Sequence, residues 1–165
     1  KGIVDLARAF SSVAMRAPNA HLLIVGPDED GVEGMITELS SKFKGRCHRV
    51  GFTTDPEGYM AAADIFSLPS YREGFSLATI QAAGVGLPAI ASRIYGLSYA
   101  VQEGVTGLLH RPGAIDEMSE AMVRLYSDGD LRSSLSEAAQ HRAHTEFAQP
   151  IIIEEMSRYI DRLLA

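Results

Sequence analysis

Residues 72–88, REGFSLATIQAAGVGLP, place a carboxylate, Glu73, directly before a glycine and a helix-forming run. The first N–H groups of a helix have no partner within it, and the helix dipole adds partial positive charge there. Such a start can hold a phosphate without any basic side chain. Gly74 lets the backbone approach a ligand closely. A negative charge at the mouth of an anion site is out of place unless the ligand has a second part that needs an acceptor. A carboxylate accepts hydrogen bonds from neighbouring hydroxyls, which is what a sugar ring offers. Further along the same helix, Gln81 can reach another pair of hydroxyls, such as those of a ribose. Phosphate at the amides, sugar at Glu73 and ribose at Gln81 together describe a nucleotide sugar. The plainer reading is a first-turn acid that favours the helix dipole and a glutamine with local partners. Spacing alone does not choose between the two.

These residues depend on the elements around them. Ile3, Leu6, Ala7, Phe10, Val13 and Ala14 recur at the spacing of one buried helix face, and Pro18-Asn19 ends that helix. AHLLIVG is a continuous apolar run closed by Gly26-Pro27, the pattern of a buried strand. A helix is predicted over 31–44, a short weak strand in RCHRVGF, and a short helix over 55–63. Asp55 suits the N-cap of that short helix and Pro56 its first position. DIFSLP reads as another buried strand, after which the turn SYREGF leads into a helix over about 76–85. LPAIAS and TGLLH are two further strands. Ile115, Met118, Met122 and Leu125 then line one helix, and Leu131, Leu135, Ala138 and Ala139 a second. Ile152, Met156, Tyr159, Ile160 and Leu163 line a third. Strands alternating with helices predict an α/β fold with a parallel sheet covered on both faces. Such sheets bind ligands outside the carboxyl ends of their strands, which is where REGFS falls. The chain opens already in helical pattern, as KGIVDLARAF, so it is expected to be a fragment whose preceding strand has been removed.

With 165 residues, 46% of them hydrophobic, the chain can form one domain with a core. A net charge of −6 argues against a broad nucleic-acid footprint and leaves room for a local basic pocket. The single cysteine, Cys47, excludes an intrachain disulfide and a Cys-based zinc site, and fits a reducing, cytosolic setting. No apolar run approaches the roughly 18 residues of a membrane span, and no signal-peptide pattern is visible. No G-x-G-x-x-G occurs, and Val32 stands where a P-loop would need lysine. His141 and His144 sit three apart on a predicted helix without a third ligand, so a solvated face is the plainer reading and no metal site is predicted. Ser67, Ser70 and Ser76 lack a G-x-S-x-G setting.

The run PSYREGFSLATIQAAGVGLPAIAS, followed by YGL, VQEGVTGLL and RPG, resembles the donor-binding half of retaining GT-B glycosyltransferases of family 4, the glycosyl transferases group 1. The resemblance covers essentially all 165 residues and is strongest over 69–113. It implies a Rossmann-like parallel sheet with helices on both faces, the C-terminal half of a GT-B fold, forming one domain over residues 1–165. An acceptor-binding N-terminal domain would lie outside this chain. In that family an E-x7-E motif holds the donor, and its first Glu matches Glu73. The backbone that follows, here Gly74, Phe75, Ser76, Leu77 and Ala78, meets the transferred sugar and the diphosphate. The second Glu, which binds the ribose, falls at position 81, where this chain has Gln. Gln81 still accepts through its carbonyl but loses the charge-assisted bond, which is worth roughly twice a neutral one. Gln81→Glu is therefore expected not to weaken donor binding. The family also carries aspartate where YGLSYAV has Tyr99.

Family members hold the diphosphate with an Arg and, five residues on, a Lys-Gly that opens the helix. KGIVDLARAF matches from the Lys onward, so the resemblance names Lys1, in addition to Glu73, as a catalytic residue. It puts the base near RVGFTTD, against backbone groups around Val50. Arg72 can bind phosphate or pair with a carboxylate such as Glu73, and the pairing is favoured. The implied reaction moves a hexose or N-acetylhexosamine from a UDP-sugar to a glycan or lipid-linked glycan of bacterial surface polysaccharide synthesis. The nucleotide-diphosphate sugar is the substrate, with no metal and no other cofactor. The fragment alone is expected to be inactive. The setting implied is cytoplasmic, with peripheral attachment to the inner face of the membrane through the missing domain. Two other functions fit the same fold. A non-catalytic nucleotide-sugar-binding module is favoured by Gln81 and opposed by Glu73 and Lys1. Another GT-B enzyme, such as a nucleotide-sugar epimerase, would need acids and bases that the sequence does not reveal.

Overall fold

The computed structural model of the chain describes residues 1–28 and 31–164. In order, the elements are α1 (Ile3–Arg16), β1 (Leu22–Val25), α2 (Glu33–Lys42), β2 (Cys47–Val50), α3 (Pro56–Ala61), β3 (Phe66–Leu68) and α4 (Leu77–Gly84). They continue with β4 (Ala89–Ser92), α5 (Tyr95–Ala100), β5 (Gly107–His110), α6 (Ile115–Ser127), α7 (Gly129–Glu146) and α8 (Gln149–Leu164). Every strand pairing is parallel, and the strands are flanked by helices, the predicted α/β class.

The predicted helix face of α1 is buried: Leu6, Ala7, Phe10, Val13 and Ala14 join Ile90, Leu108, Met118 and Leu125 in one core. α1 lies against α6, and α4 against α7. All four residues of β4 are buried, which explains why LPAIAS reads as an unbroken apolar run. The Asp55 carboxylate accepts the Gly58 N–H at 3.0 Å, with Pro56 opening α3.

Three features differ from the expectations. First, the strands form two hydrogen-bonded sets, β1–β2 and β3–β4–β5, rather than one sheet. The β1 and β3 edges are left unpaired with each other. Second, α5 was not anticipated. It has six residues, includes Gly96, and lacks a side-chain cap at Ile94, so no local propensity marks it. Third, the apolar face of α8 is not buried: Ile152, Met156, Tyr159, Ile160 and Leu163 are all exposed. Periodicity reports that the helix is amphipathic, not that a partner is present. Among the described residues no helix is long and apolar enough to cross a membrane.

Candidate functional site

β3 delivers the chain, through Pro69, to the turn that carries Glu73. Ser70 is fully buried there. Its hydroxyl donates to Glu73 Oε1 at 2.9 Å, and Lys1 Nζ donates to the same oxygen at 2.7 Å. The two residues named as catalytic candidates are thus in contact, although 72 positions apart. Gly2 makes the approach feasible. It sits at φ 79°, and a Cβ there would lie 2.2 Å from the Pro69 carbonyl oxygen. Partial burial pushes the Glu73 carboxyl up, but the hydrogen bonds from Lys1 and Ser70 and the Lys1 charge bring it below the ordinary carboxylate value. Glu73 is therefore an anion at neutral pH. The expected Arg72–Glu73 pair is not what forms: Glu73 pairs with Lys1, and Arg72 is exposed. The buried hydroxyl of Ser70 holds the carboxylate toward Lys1.

Helix α4 starts as anticipated. Ser76 is the N-cap, its hydroxyl accepting the Thr79 N–H at 3.3 Å, and the Ile80 N–H reaches the Ser76 carbonyl at 3.3 Å. Leu77 and Ala78, the first two helical residues, cannot bond within the helix and present their N–H groups at its start. Ser76 itself is buried, so its hydroxyl serves the cap while its backbone stays at the helix mouth.

Gly74 has no atom within 4 Å of a would-be Cβ. The glycine this turn requires is Gly96, in α5. A Cβ on Gly96 would lie 1.5 Å from the Gly74 carbonyl oxygen and 2.8 Å from that of Glu73. α5 is pressed onto the Glu73–Gly74 turn at one end and tied at the other. Arg142, largely buried on α7, donates to the carbonyls of Tyr99 and Ala100, both at 3.0 Å. Its guanidinium also stacks 4.8 Å over the Phe147 ring, and Phe75, Tyr99 and Phe147 form an aromatic cluster beside the turn.

A cavity of about 1210 Å³ opens at this edge. Its wall includes Lys1, Glu73, Phe75, Ser76, Leu77 and Ala78, and also Gln81. Gly74 and Val50 are not part of that wall. Val50 ends β2, where its carbonyl accepts the Gly26 N–H at 3.0 Å. Gln81 Nε2 donates to Glu57 Oε1 at 2.7 Å, a contact no sequence pattern announced. Arg49 also lines the cavity, with its buried Nε unpartnered among the described residues. The same cavity runs inward between β1 and β3, past Leu23, Val25, Phe66 and Ser67. Among the described residues no group of three or more His, Cys, Asp or Glu side chains is placed to hold a metal. His141 and His144 are both exposed on α7.

The arrangement offers helix-start amides and a lysine for an anion, and a carboxylate beside them for hydroxyls. The chain is 27% identical to the capsular polysaccharide biosynthesis glycosyltransferase CapM of Staphylococcus aureus, over 99% of this chain and 43% of that protein. It is 39% identical to the D-inositol 3-phosphate glycosyltransferase of Corynebacterium aurimucosum, over 87% of this chain and 36% of that one. Its fold superposes with a TM-score of 0.88 on Anabaena Alr3699/HepE, a structure solved in complex with UDP, at 23% identity, covering 98% of this chain and 45% of the other. The chain thus spans less than half the length of these relatives. Residues 1–128 match the family model of the glycosyl transferases group 1, and the chain belongs to that family.

Proposed function

We propose that this domain is the donor-binding half of a retaining glycosyltransferase and that its ligand is a UDP-sugar. The observation that carries the reading is the Lys1–Glu73 pair set against the start of α4. The diphosphate takes the Leu77 and Ala78 N–H groups and the Lys1 ammonium. The hexose or N-acetylhexosamine gives its hydroxyls to the Glu73 carboxylate. As the bond to the sugar breaks, negative charge grows on the departing phosphate, and fixed amides and a cation aimed there lower the barrier. That phosphate helps deprotonate the acceptor hydroxyl on the same face of the sugar, so this half supplies no general base. The UDP complex of Alr3699/HepE supports UDP as the nucleotide, and the CapM likeness supports a part in polysaccharide synthesis. In titrations of the full-length protein, UDP is expected to bind; failure of UDP to bind at all would overturn this reading.

The acceptor site belongs, in this proposal, to a second domain that precedes this one in the chain. The slot between β1 and β3 supports that order. The Leu22 and Gly26 N–H groups both point to β2, bonding Arg46 and Val50 at 2.8 and 3.0 Å. Strand alternation therefore aims the Leu23 and Val25 N–H groups into the slot. Phe66 N–H bonds the Pro88 carbonyl, toward β4, at 3.1 Å, so the Ser67 N–H faces the slot from the other side. The buried Ser67 hydroxyl is unpartnered among the described residues. An extended segment that feeds α1 fits there as a parallel strand, completing one sheet from two. In the full-length protein the Leu23, Val25 and Ser67 amides are expected to be protected from hydrogen exchange, and to exchange rapidly in residues 1–165 alone. Rapid exchange of all three in the full-length protein would leave the slot unfilled.

A further inference from the structure

We infer that Glu57 supplies the carboxylate for the ribose hydroxyls of the donor, held in place by Gln81; this rests on the nucleotide reading above. The two side chains come from different helices, α3 and α4, and meet at 2.7 Å through Gln81 Nε2 and Glu57 Oε1. Only the amide N–H side can face a carboxylate at that distance, so the Gln81 carbonyl is turned away from Glu57. The pair then presents two acceptors, the Gln81 carbonyl oxygen and the second oxygen of Glu57. A vicinal diol offers two O–H donors, one for each.

Position and charge both favour this use of the pair. Gln81 lines the cavity on the α4 side, three and four residues beyond the Ala78 and Leu77 amides assigned to the diphosphate. Pro56, Tyr59 and Met60 of α3 line it opposite, and Glu57, not itself part of that wall, meets it through the hydrogen bond from Gln81. The negative charge that a glutamate at 81 would have carried is present, one helix over.

The arrangement also reverses the sequence-based expectation for Gln81→Glu. That substitution would set a second carboxylate against Glu57, and like charges at this separation cannot both ionise without cost. The pair should separate or take up a proton, losing the geometry. Exchanging both residues, E57Q with Q81E, restores one carboxylate and one amide.

The test measures UDP and 2′,3′-dideoxy-UDP affinities of the full-length protein and of E57Q, Q81E and E57Q/Q81E. Both residues are exposed, so melting temperatures should stay near that of the unchanged protein. E57Q is expected to weaken UDP about tenfold, the scale of a charge-assisted hydrogen bond, and to leave dideoxy-UDP unchanged. Q81E is expected to weaken UDP as well, and the double exchange to recover it. Equal effects of E57Q on both nucleotides, or none on either, would overturn the assignment. So would Q81E binding UDP as tightly as the unchanged protein. Absence of UDP binding before any substitution would instead overturn the donor-site reading itself, and this inference with it.

Discussion

Glu73→Ala in the full-length protein is expected to lower sugar transfer about ten- to a hundredfold while leaving UDP affinity unchanged or slightly tighter. UDP carries no hexose, so it cannot sense a side chain whose ligand partners are hexose hydroxyls. The substitution also removes the anion that Lys1 Nζ holds at 2.7 Å, which leaves more of that ammonium for the diphosphate. Ser70 loses its acceptor, but its hydroxyl lies 3.4 Å from the Lys1 carbonyl and can turn there, so the buried hydroxyl is not stranded. The intact donor, in contrast, loses a charged hydrogen bond worth roughly 1.5–3 kcal/mol. If that bond strengthens as charge develops on the sugar, the loss falls on turnover, at about tenfold per 1.4 kcal/mol. UDP affinity and donor turnover measured on the same variant decide the matter. Equal losses in both would mean that Glu73 shapes the turn or the nucleotide site rather than holding the sugar.

Gly96→Ala is expected to damage the site without touching any ligand. The added methyl would lie 1.5 Å from the Gly74 carbonyl oxygen, a distance no rotamer can relieve because both atoms are fixed to backbone. α5 cannot simply retreat, since its C-terminal carbonyls are held by Arg142. The turn must move instead, carrying Glu73 and the amides that precede α4. Overpacking of this kind typically costs about 1–3 kcal/mol, visible as a lower urea midpoint. UDP affinity should fall about tenfold or more. Gly34→Ala is the control: a Cβ there meets nothing within 4 Å, and alanine suits the start of α2 better than glycine. An unchanged midpoint and unchanged UDP affinity for Gly96→Ala would show that the contact does not set the turn.

Where sequence and structure agree, the signals are local. The α1 face follows from residues three and four apart, the Asp55-Pro56 helix start from adjacent residues, and the α4 start from the helix-forming run after Gly74. What the sequence hides depends on contacts between distant segments. Glu57 and Gln81 lie 24 positions apart and meet only because α3 and α4 pack side by side. Gly96 is needed for what it presses on, not for its own φ, so no turn pattern marks it. Arg142 sits in an otherwise polar helix stretch, where nothing local says it is buried and bonded to α5. The resemblance assigns Lys1 and Glu73 to one donor site, which periodicity cannot do, but not their contact with each other. The apolar face of α8 shows the converse, a strong local pattern whose tertiary counterpart is not among the described residues.

The central claim is that a nucleoside diphosphate sits at the start of α4, beside Lys1. Backbone amide resonances of the full-length protein, followed while UDP is added, test it most directly. The Leu77 and Ala78 amides, with those of Gly74, Phe75 and Ser76 in the preceding turn, should move together and saturate at one dissociation constant. Saturable binding that shifts amides elsewhere and leaves residues 74–78 unmoved would contradict the account.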